Sequence, residues 1–307
     1  MQGRILVLGS SNIDLILRVP RFHGPGETIS GENLVTAFGG KGANQAIAAK
    51  KLGGEVNFLT KLGRDSFGES YRKYLTDKGL PAGFLLQDKK LPTGVAVIEL
   101  IPKGENRIIV SPGANASLSA KDLLAHPDVW RAAGVFVAQL ETPLNTVKKG
   151  LNLGRKMGCL TILNPAPAAP LSPEILSLVD FLVPNESEAQ SLSGIRIRGK
   201  KDLPRIAKTL LEKGVKNVVV TRGAQGLYFK NQDKEIWMDA FRVKAVDTTA
   251  AGDAFMGALA CGLAGGKPTR EALRQANAAG ALATTKLGAQ PSLPHRREVE
   301  RFLERTP

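Results

Sequence analysis

The sequence predicts an α/β fold, a mostly parallel central sheet flanked by helices on both faces, to which two further stretches add either a second, smaller β-sheet or extra edge strands. Three observations carry this. Short β-branched or apolar runs alternate with amphipathic stretches, the pattern of a parallel sheet covered on both sides. Polar residues (Asp14, Glu141, Asn164, Asn185 and Thr221) recur at the carboxyl ends of the expected strands, where open α/β sheets bind ligands. Two stretches break the alternation with period-two apolar patterns and no helix between them, which suits either a separate sheet or extra edge strands on the main one.

In chain order, Arg4 to Gly9, Val56 to Leu62, Val135 to Leu140, Leu160 to Leu163, Phe181 to Val183 and Asn217 to Thr221 read as strands. Helical patterns fall at Lys41 to Leu52, Ser66 to Lys78, Leu144 to Met157, Glu186 to Ser193, Leu203 to Glu212, Asp253 to Leu263, Arg270 to Leu287 and Arg297 to Glu304. The period-two segments are 15–39 and 93–110, leaving 1–14, 40–92 and 111–307 as the α/β domain.

A chain of 307 residues with 43% hydrophobic content can bury a full core. Its first apolar run is too short for a signal peptide, no run reaches membrane-spanning length, and two cysteines give no disulfide framework, so a soluble cytoplasmic protein is expected. The formal charge of +14 raises a nucleic-acid role, but the basic residues are scattered and no binding module accompanies them. His23, His126 and His295 are too dispersed for a metal site or a catalytic triad. There is no Gly-x-x-x-x-Gly-Lys-(Ser/Thr) loop, and Gly39, Gly40 and Gly42 do not make the dinucleotide fingerprint.

Two segments carry the chemistry. Asp247-Thr248-Thr249-Ala250-Ala251-Gly252-Asp253 runs into an apolar helical stretch. Free amides at a helix start and the helix dipole suit an anion, so Ala251, Gly252 and Asp253 could cradle a phosphate with Asp253 beside it to accept a proton. An ordinary helix cap is the competing reading. The second segment is Phe38-Gly39-Gly40-Lys41-Gly42-Ala43-Asn44-Gln45-Ala46, where backbone open to close approach lies beside a cation and an amide, a combination suited to sugar hydroxyls.

Together these segments resemble the two signatures of the ribokinase family of carbohydrate kinases. Gly9-Ser10-Ser11-Asn12-Ile13-Asp14, Gln139-Leu140-Glu141, Asn164-Pro165-Ala166-Pro167, Pro184-Asn185-Glu186-Ser187-Glu188, Thr221-Arg222-Gly223 and Gly288-Ala289-Gln290-Pro291-Ser292 follow in the family's order, over nearly the whole chain. The resemblance implies a Rossmann-like ribokinase fold whose small β-sheet is a lid that covers the sugar and pairs with a second subunit's lid in a homodimer. It implies ATP-dependent phosphorylation of D-ribose at the 5-hydroxyl, with deoxyribose or fructose as alternative acceptors and a non-catalytic sugar or nucleic-acid binder as the rival from another class.

By that resemblance Asn12, Asp14, Gly40, Lys41, Asn44 and Glu141 line the sugar pocket, Asp253 is the base, and the amides from Ala250 to Asp253 form an anion hole. Alanine replaces the family's more common glycine at Ala250, which implies a backbone angle that alanine tolerates. Asn185, Thr221, Gly223, Gly226 and Asn277 would contact ATP, and Glu188 would organise Mg2+ and its waters. The residues alone leave other readings open. Asn185 and Glu188 also form a capping-box pattern, and Gly223 and Gly226 suit a hairpin turn. A potassium ion is implied next to the anion hole, held by Asp247, the carbonyls of Thr249, Ala283, Lys286 and Gly288, and the Ser292 hydroxyl.

Overall fold

A computed structural model describes residues 3–102 and 105–306; residues 103 and 104, within the second period-two segment, lie outside the described residues. The chain runs β1 (Arg4–Leu8), β2 (Asn12–Arg18), β3 (Glu32–Gly39), α1 (Lys41–Lys51), β4 (Val56–Gly63), α2 (Ser66–Asp77), β5 (Leu85–Asp88), β6 (Gly94–Leu100) and β7 (Asn106–Ser111). It continues through α3 (Ala120–Ala125), β8 (Ala133–Ala138), α4 (Leu144–Lys156), β9 (Leu160–Leu163), α5 (Pro173–Leu176), β10 (Phe181–Leu182), α6 (Glu186–Ser193) and α7 (Leu203–Glu212). Last come β11 (Asn217–Thr221), β12 (Leu227–Lys230), β13 (Glu235–Met238), α8 (Ala251–Ala264), α9 (Thr269–Ala283) and α10 (Arg296–Arg305).

Nine strands form the main sheet in the order β13-β12-β11-β10-β9-β8-β1-β4-β5. All neighbours are parallel except the hairpins β11–β12 and β12–β13. Strand periodicity divides its core. Ile5 and Val7 of β1, with Val135, Val137 and Ile162, face the layer that holds α1, α2, α8, α9 and α10, while Leu6, Leu8, Phe136, Ala138 and Leu163 face α3, α4, α6 and α7. Both faces are therefore apolar, which is why these strands read as continuous apolar runs.

The period-two segments form their own four-stranded sheet, β3-β2-β6-β7, and do not extend the main one. It is wider than the sequence segments suggest, beginning at Asn12 and ending at Ser111. Pairing is antiparallel in β2–β3 and β6–β7 and parallel in β2–β6. Its outer strands stay wet: Leu34, Val35, Ile108, Ile109 and Val110 are all exposed apolar residues.

Close helix packing brings the two signature segments together. A Cβ on Gly257 of α8 would lie 2.5 Å from the Cβ of Ala48 on α1, so the two helices touch at backbone distance. Gly42, at the start of α1, packs equally tightly under the β1–β2 connection, where a Cβ would come 2.5 Å from the Ser10 nitrogen. Larger residues at either position would push α1 away by more than a packed core accommodates. Among the described residues no helix is long and apolar enough to cross a membrane. Cys159 is buried and Cys261 half-buried, and both are free thiols.

Candidate active site

Asp253 lies in the first turn of α8 and is buried. Its two carboxylate oxygens are held separately: Asn44 Nδ2 donates to Oδ2 at 2.9 Å and Gln45 Nε2 donates to Oδ1 at 2.9 Å. Burial raises the Asp253 pKa, while the Lys41 charge and the two amide donors act in the opposite direction. The amides of Gly252 and Asp253 have no acceptor among the described residues, and a Cβ on Gly252 would project into open space. This is an unobstructed helix start of the kind that receives anions. Ala251 differs, since its amide makes a long 3.3 Å bond to the Thr248 carbonyl.

Ala250, just before α8, has φ 58° and ψ 10°, in the left-handed region. The sequence implies an angle that alanine tolerates here, and the angle is one that it tolerates with strain. Alanine adopts this one at a cost of about 1–2 kcal/mol, so the surrounding structure holds a strained turn beside the free amides.

The sugar-pocket candidates converge on the same place. Glu141 accepts from the backbone nitrogen of Lys41 at 2.9 Å and from the Ser10 hydroxyl. Gly40, at φ 90°, presses its backbone against Asn12, where a Cβ would come 2.8 Å from the Asn12 nitrogen. Asp14, expected at the carboxyl end of a strand or in the loop there, lies with Asn12 inside β2, which follows β1 after the short Gly9-Ser10-Ser11 connection. The Asp14 carboxylate lies over Gly39, at a distance only a missing Cβ allows.

Asp14 is pushed up to about 7 by burial and by the negative charges of Glu141 and Asp253, against the pull of Lys41. For Lys41, burial acts to lower the pKa, but Asp253, Glu141, Glu188 and Asp14 together raise it. One cation thus balances four carboxylates around a polar pocket. The side-chain Oδ1 of Asn44 is buried with no hydrogen-bond partner among the described residues, a free acceptor beside the Asp253 carboxylate.

On the nucleotide side, Asn185 and Glu188 do form a capping box. The Glu188 amide donates to Asn185 Oδ1 at 2.9 Å and the Asn185 amide donates to Glu188 Oε2 at 2.9 Å. Burial raises the Glu188 carboxyl. Thr221 ends β11 and bridges to Asn185, so the two stand side by side. Gly223 and Gly226, at φ 53° and 84°, make the β11–β12 hairpin turn. A Cβ on Gly226 would collide with the Met238 carbonyl, while one on Gly223 would meet nothing, so only Gly223 leaves room for a ligand. Asn277 is anchored by a 2.8 Å bond from Nδ2 to the Asp239 carbonyl.

The cation candidates are partly gathered. The Asp247 carboxylate accepts from Thr249 N at 2.9 Å and Thr249 Oγ1 at 2.6 Å through Oδ1, and from Gly288 N at 2.8 Å through Oδ2. The Lys286 amide reaches the Ala283 carbonyl at 3.4 Å. Ser292 is buried and donates to the Ala289 carbonyl at 2.8 Å. A donor set of oxygens only, with one carboxylate, fits a weakly charged hard cation. Among the described residues no three His, Cys, Asp or Glu side chains cluster as a metal site.

Several residues in the site have no specific role in the sequence reading, although Asn164 is placed there at the ligand-binding edge of the sheet. Gln45, Gln139 and Asn164 stand in the quoted segments, and all three join a hydrogen-bond network beneath Asp253. Asn115 carried no signal, since nothing in Gly113-Ala114-Asn115-Ala116, which lies in a short 3-10 helix, marks it. It donates to Asn12 Oδ1 at 2.7 Å and accepts from Ser11 N at 2.9 Å, fixing the start of β2.

A buried carboxylate thus stands at the start of α8 beside a polar pocket and free backbone amides, an arrangement that can hold a hydroxyl against an anion. The model of the pfkB family of carbohydrate kinases matches residues 2–296. The chain is 39% identical over 304 residues to ribokinase of Haemophilus influenzae, covering 99% of both proteins. It is 35% identical to deoxyribokinase of Salmonella typhi, over 98% of this chain and 97% of that protein. Its fold matches Arabidopsis thaliana ribokinase complexed with ribose and ATP at a TM-score of 0.92, with 33% identity and 99% of each chain covered. The chain belongs to the pfkB family of carbohydrate kinases.

Proposed function

We propose that this protein is an ATP-dependent kinase that phosphorylates D-ribose at its 5-hydroxyl to give ribose 5-phosphate, working in the cytoplasm as a dimer. The observation that carries the reading is the placement of Asp253 between the Asn44 and Gln45 amides and the free amides of α8. The name and the ribose and ATP complex of the relatives supply the substrate.

Ribose enters the pocket of Asn12, Asp14, Gly40, Lys41, Asn44 and Glu141, whose carboxylates, amides and cation match hydroxyls that both donate and accept. The Asp253 carboxylate accepts the proton of the 5-hydroxyl as its oxygen bonds the γ-phosphorus and the bond to the ADP oxygen breaks. Proton transfer is late, because a free alcohol is far less acidic than a carboxylic acid. The amides of Gly252 and Asp253, with the dipole of α8, stabilise charge on the transferring group. ATP lies along Asn185, Thr221 and Gly223, with Gly226 shaping the turn and Asn277 the adjoining chain. Glu188 would orient the waters of an Mg2+ ion bound with ATP, which would supply charge neutralisation on the phosphates. A potassium ion at Asp247, Thr249, Ala283, Lys286, Gly288 and Ser292 would steady the turn that presents the amides.

In this reading 15–39 and 93–110 act as the lid, and 1–14, 40–92 and 111–307 as the catalytic domain. The exposed apolar residues of the small sheet support pairing with a second copy. Free cysteines suit a reducing compartment. The test is ADP release by Asp253→Asn: a loss of at least about a hundredfold in kcat with the fold retained is expected, and turnover like that of the unaltered enzyme removes Asp253 as base.

A further inference from the structure

Beneath Asp253 the carboxyl ends of three neighbouring strands are joined by side-chain amides whose orientations are mutually fixed. Asn164, just past β9, donates through Nδ2 to the Val183 carbonyl past β10 at 3.0 Å, which leaves its Oδ1 as an acceptor. Gln45 Nε2 donates to that oxygen at 3.1 Å and to Asp253 Oδ1 at 2.9 Å. Gln139, just past β8, donates through Nε2 to Gln45 Oε1 at 2.6 Å. Gln45 is fully buried. Its amide cannot turn over without facing its oxygen toward two acceptors and its nitrogen toward a donor.

From this network we infer that Gln45 is a positioning residue for phosphoryl transfer. It fixes the Asp253 side chain and favours its ionised form, with Gln139 locking the amide in the donating orientation. The inference rests on Asp253 being the base. Asn44 cannot replace Gln45, because it binds the other carboxylate oxygen, and its own side-chain Oδ1 has no partner among the described residues. The two adjacent amides therefore have different tasks, Asn44 facing both sugar and base and Gln45 the base alone. A donor to a carboxylate stabilises the charged form, so its removal moves proton release to higher pH. Gly9 belongs to the same device: a Cβ there would come 2.2 Å from Gln139 Oε1, so only glycine lets Gln139 lie in line with Gln45.

The experiment is the pH profile of kcat and kcat/KM for Gln45→Met and Gln139→Met, with Asp253→Asn alongside. Methionine fills similar volume and donates nothing. For Gln45→Met, kcat falls about tenfold, sugar KM changes less than about threefold, and the acid limb moves up by about one pH unit. Gln139→Met shifts the limb in the same direction by less, and it supplies the test if Gln45→Met does not fold. Unshifted acid limbs with kcat within about twofold in the folded variants overturn the inference. If Asp253→Asn itself retains turnover, the base assignment fails instead, and the two failures are thereby distinguished.

Discussion

Asn44 Nδ2 lies 2.9 Å from Asp253 Oδ2, joining two segments that are 209 residues apart in the chain. The contact spans the N-terminal ends of α1 and α8, and it exists because Gly257 and Ala48 let those helices meet at backbone distance. Gly257→Val should therefore separate base from sugar pocket. We expect kcat/KM to fall by at least about tenfold, because small displacements of reacting groups are costly. Steady-state kinetics on the folded variant checks this, and unchanged values would detach the helix contact from catalysis.

Asp14 links function to stability. Its carboxyl titrates near 7 in the folded protein and near 3.8 when unfolded, so the native state holds the proton more tightly. Its favourable contribution is complete below about pH 4 and is lost as pH rises through about 7. Asp14→Asn should accordingly melt higher than the unaltered protein at pH 8, by about 5 °C, with the gap closing toward pH 5, while sugar affinity falls. Thermal unfolding without ligand at both pH values is the check; a gap that does not depend on pH would contradict it.

The carboxylate of Asp247 ties Thr249 to Gly288, the two chain segments that the proposed cation joins. Potassium should raise kcat more than sodium does, and Asp247→Ala should abolish the difference. Equal rates for the unaltered enzyme in carefully potassium-free buffer with either salt added would remove this site.

Ile108 and Ile109 of β7 are 54% and 68% exposed and point to opposite faces of the small sheet. Replacing both with Glu should convert a dimer to a monomer in light scattering without unfolding the α/β core. An unaltered protein that is already monomeric at micromolar concentration would refute pairing through this sheet.

Much of the α/β layering was legible in the sequence because buried parallel strands and amphipathic helices have distinct periods. The bounds of β9, β11, α6 and α7 agree with the apolar pattern residue for residue. Short elements carried too few periods to read, among them α3, α5 and β13. Helix α9 stops at Ala283, short of the expected Leu287: the amides of Thr284, Thr285 and Lys286 turn to carbonyls three residues back, and the Thr284 carbonyl accepts from Val246 and Asp247 of another segment. That is a tertiary effect no local pattern contains.

The site was legible as residue types and incomplete as geometry. Asp253, Asn44, Lys41 and Glu141 stand in recognisable segments, and the structure brings them together. The amide network of Gln45, Gln139 and Asn164 was invisible, because nothing in a buried glutamine's sequence context tells which carboxylate it will meet. Asn115 was hidden for the same reason.

The most direct test of the central claim is ADP release from ATP with magnesium and potassium, across ribose, deoxyribose, fructose, adenosine and a control without sugar. The account predicts turnover that depends on sugar and is fastest, in kcat/KM, with ribose. Preference for deoxyribose would retain Asp253 and the anion hole but contradict the assigned substrate, and no turnover with any acceptor would contradict the proposed reaction.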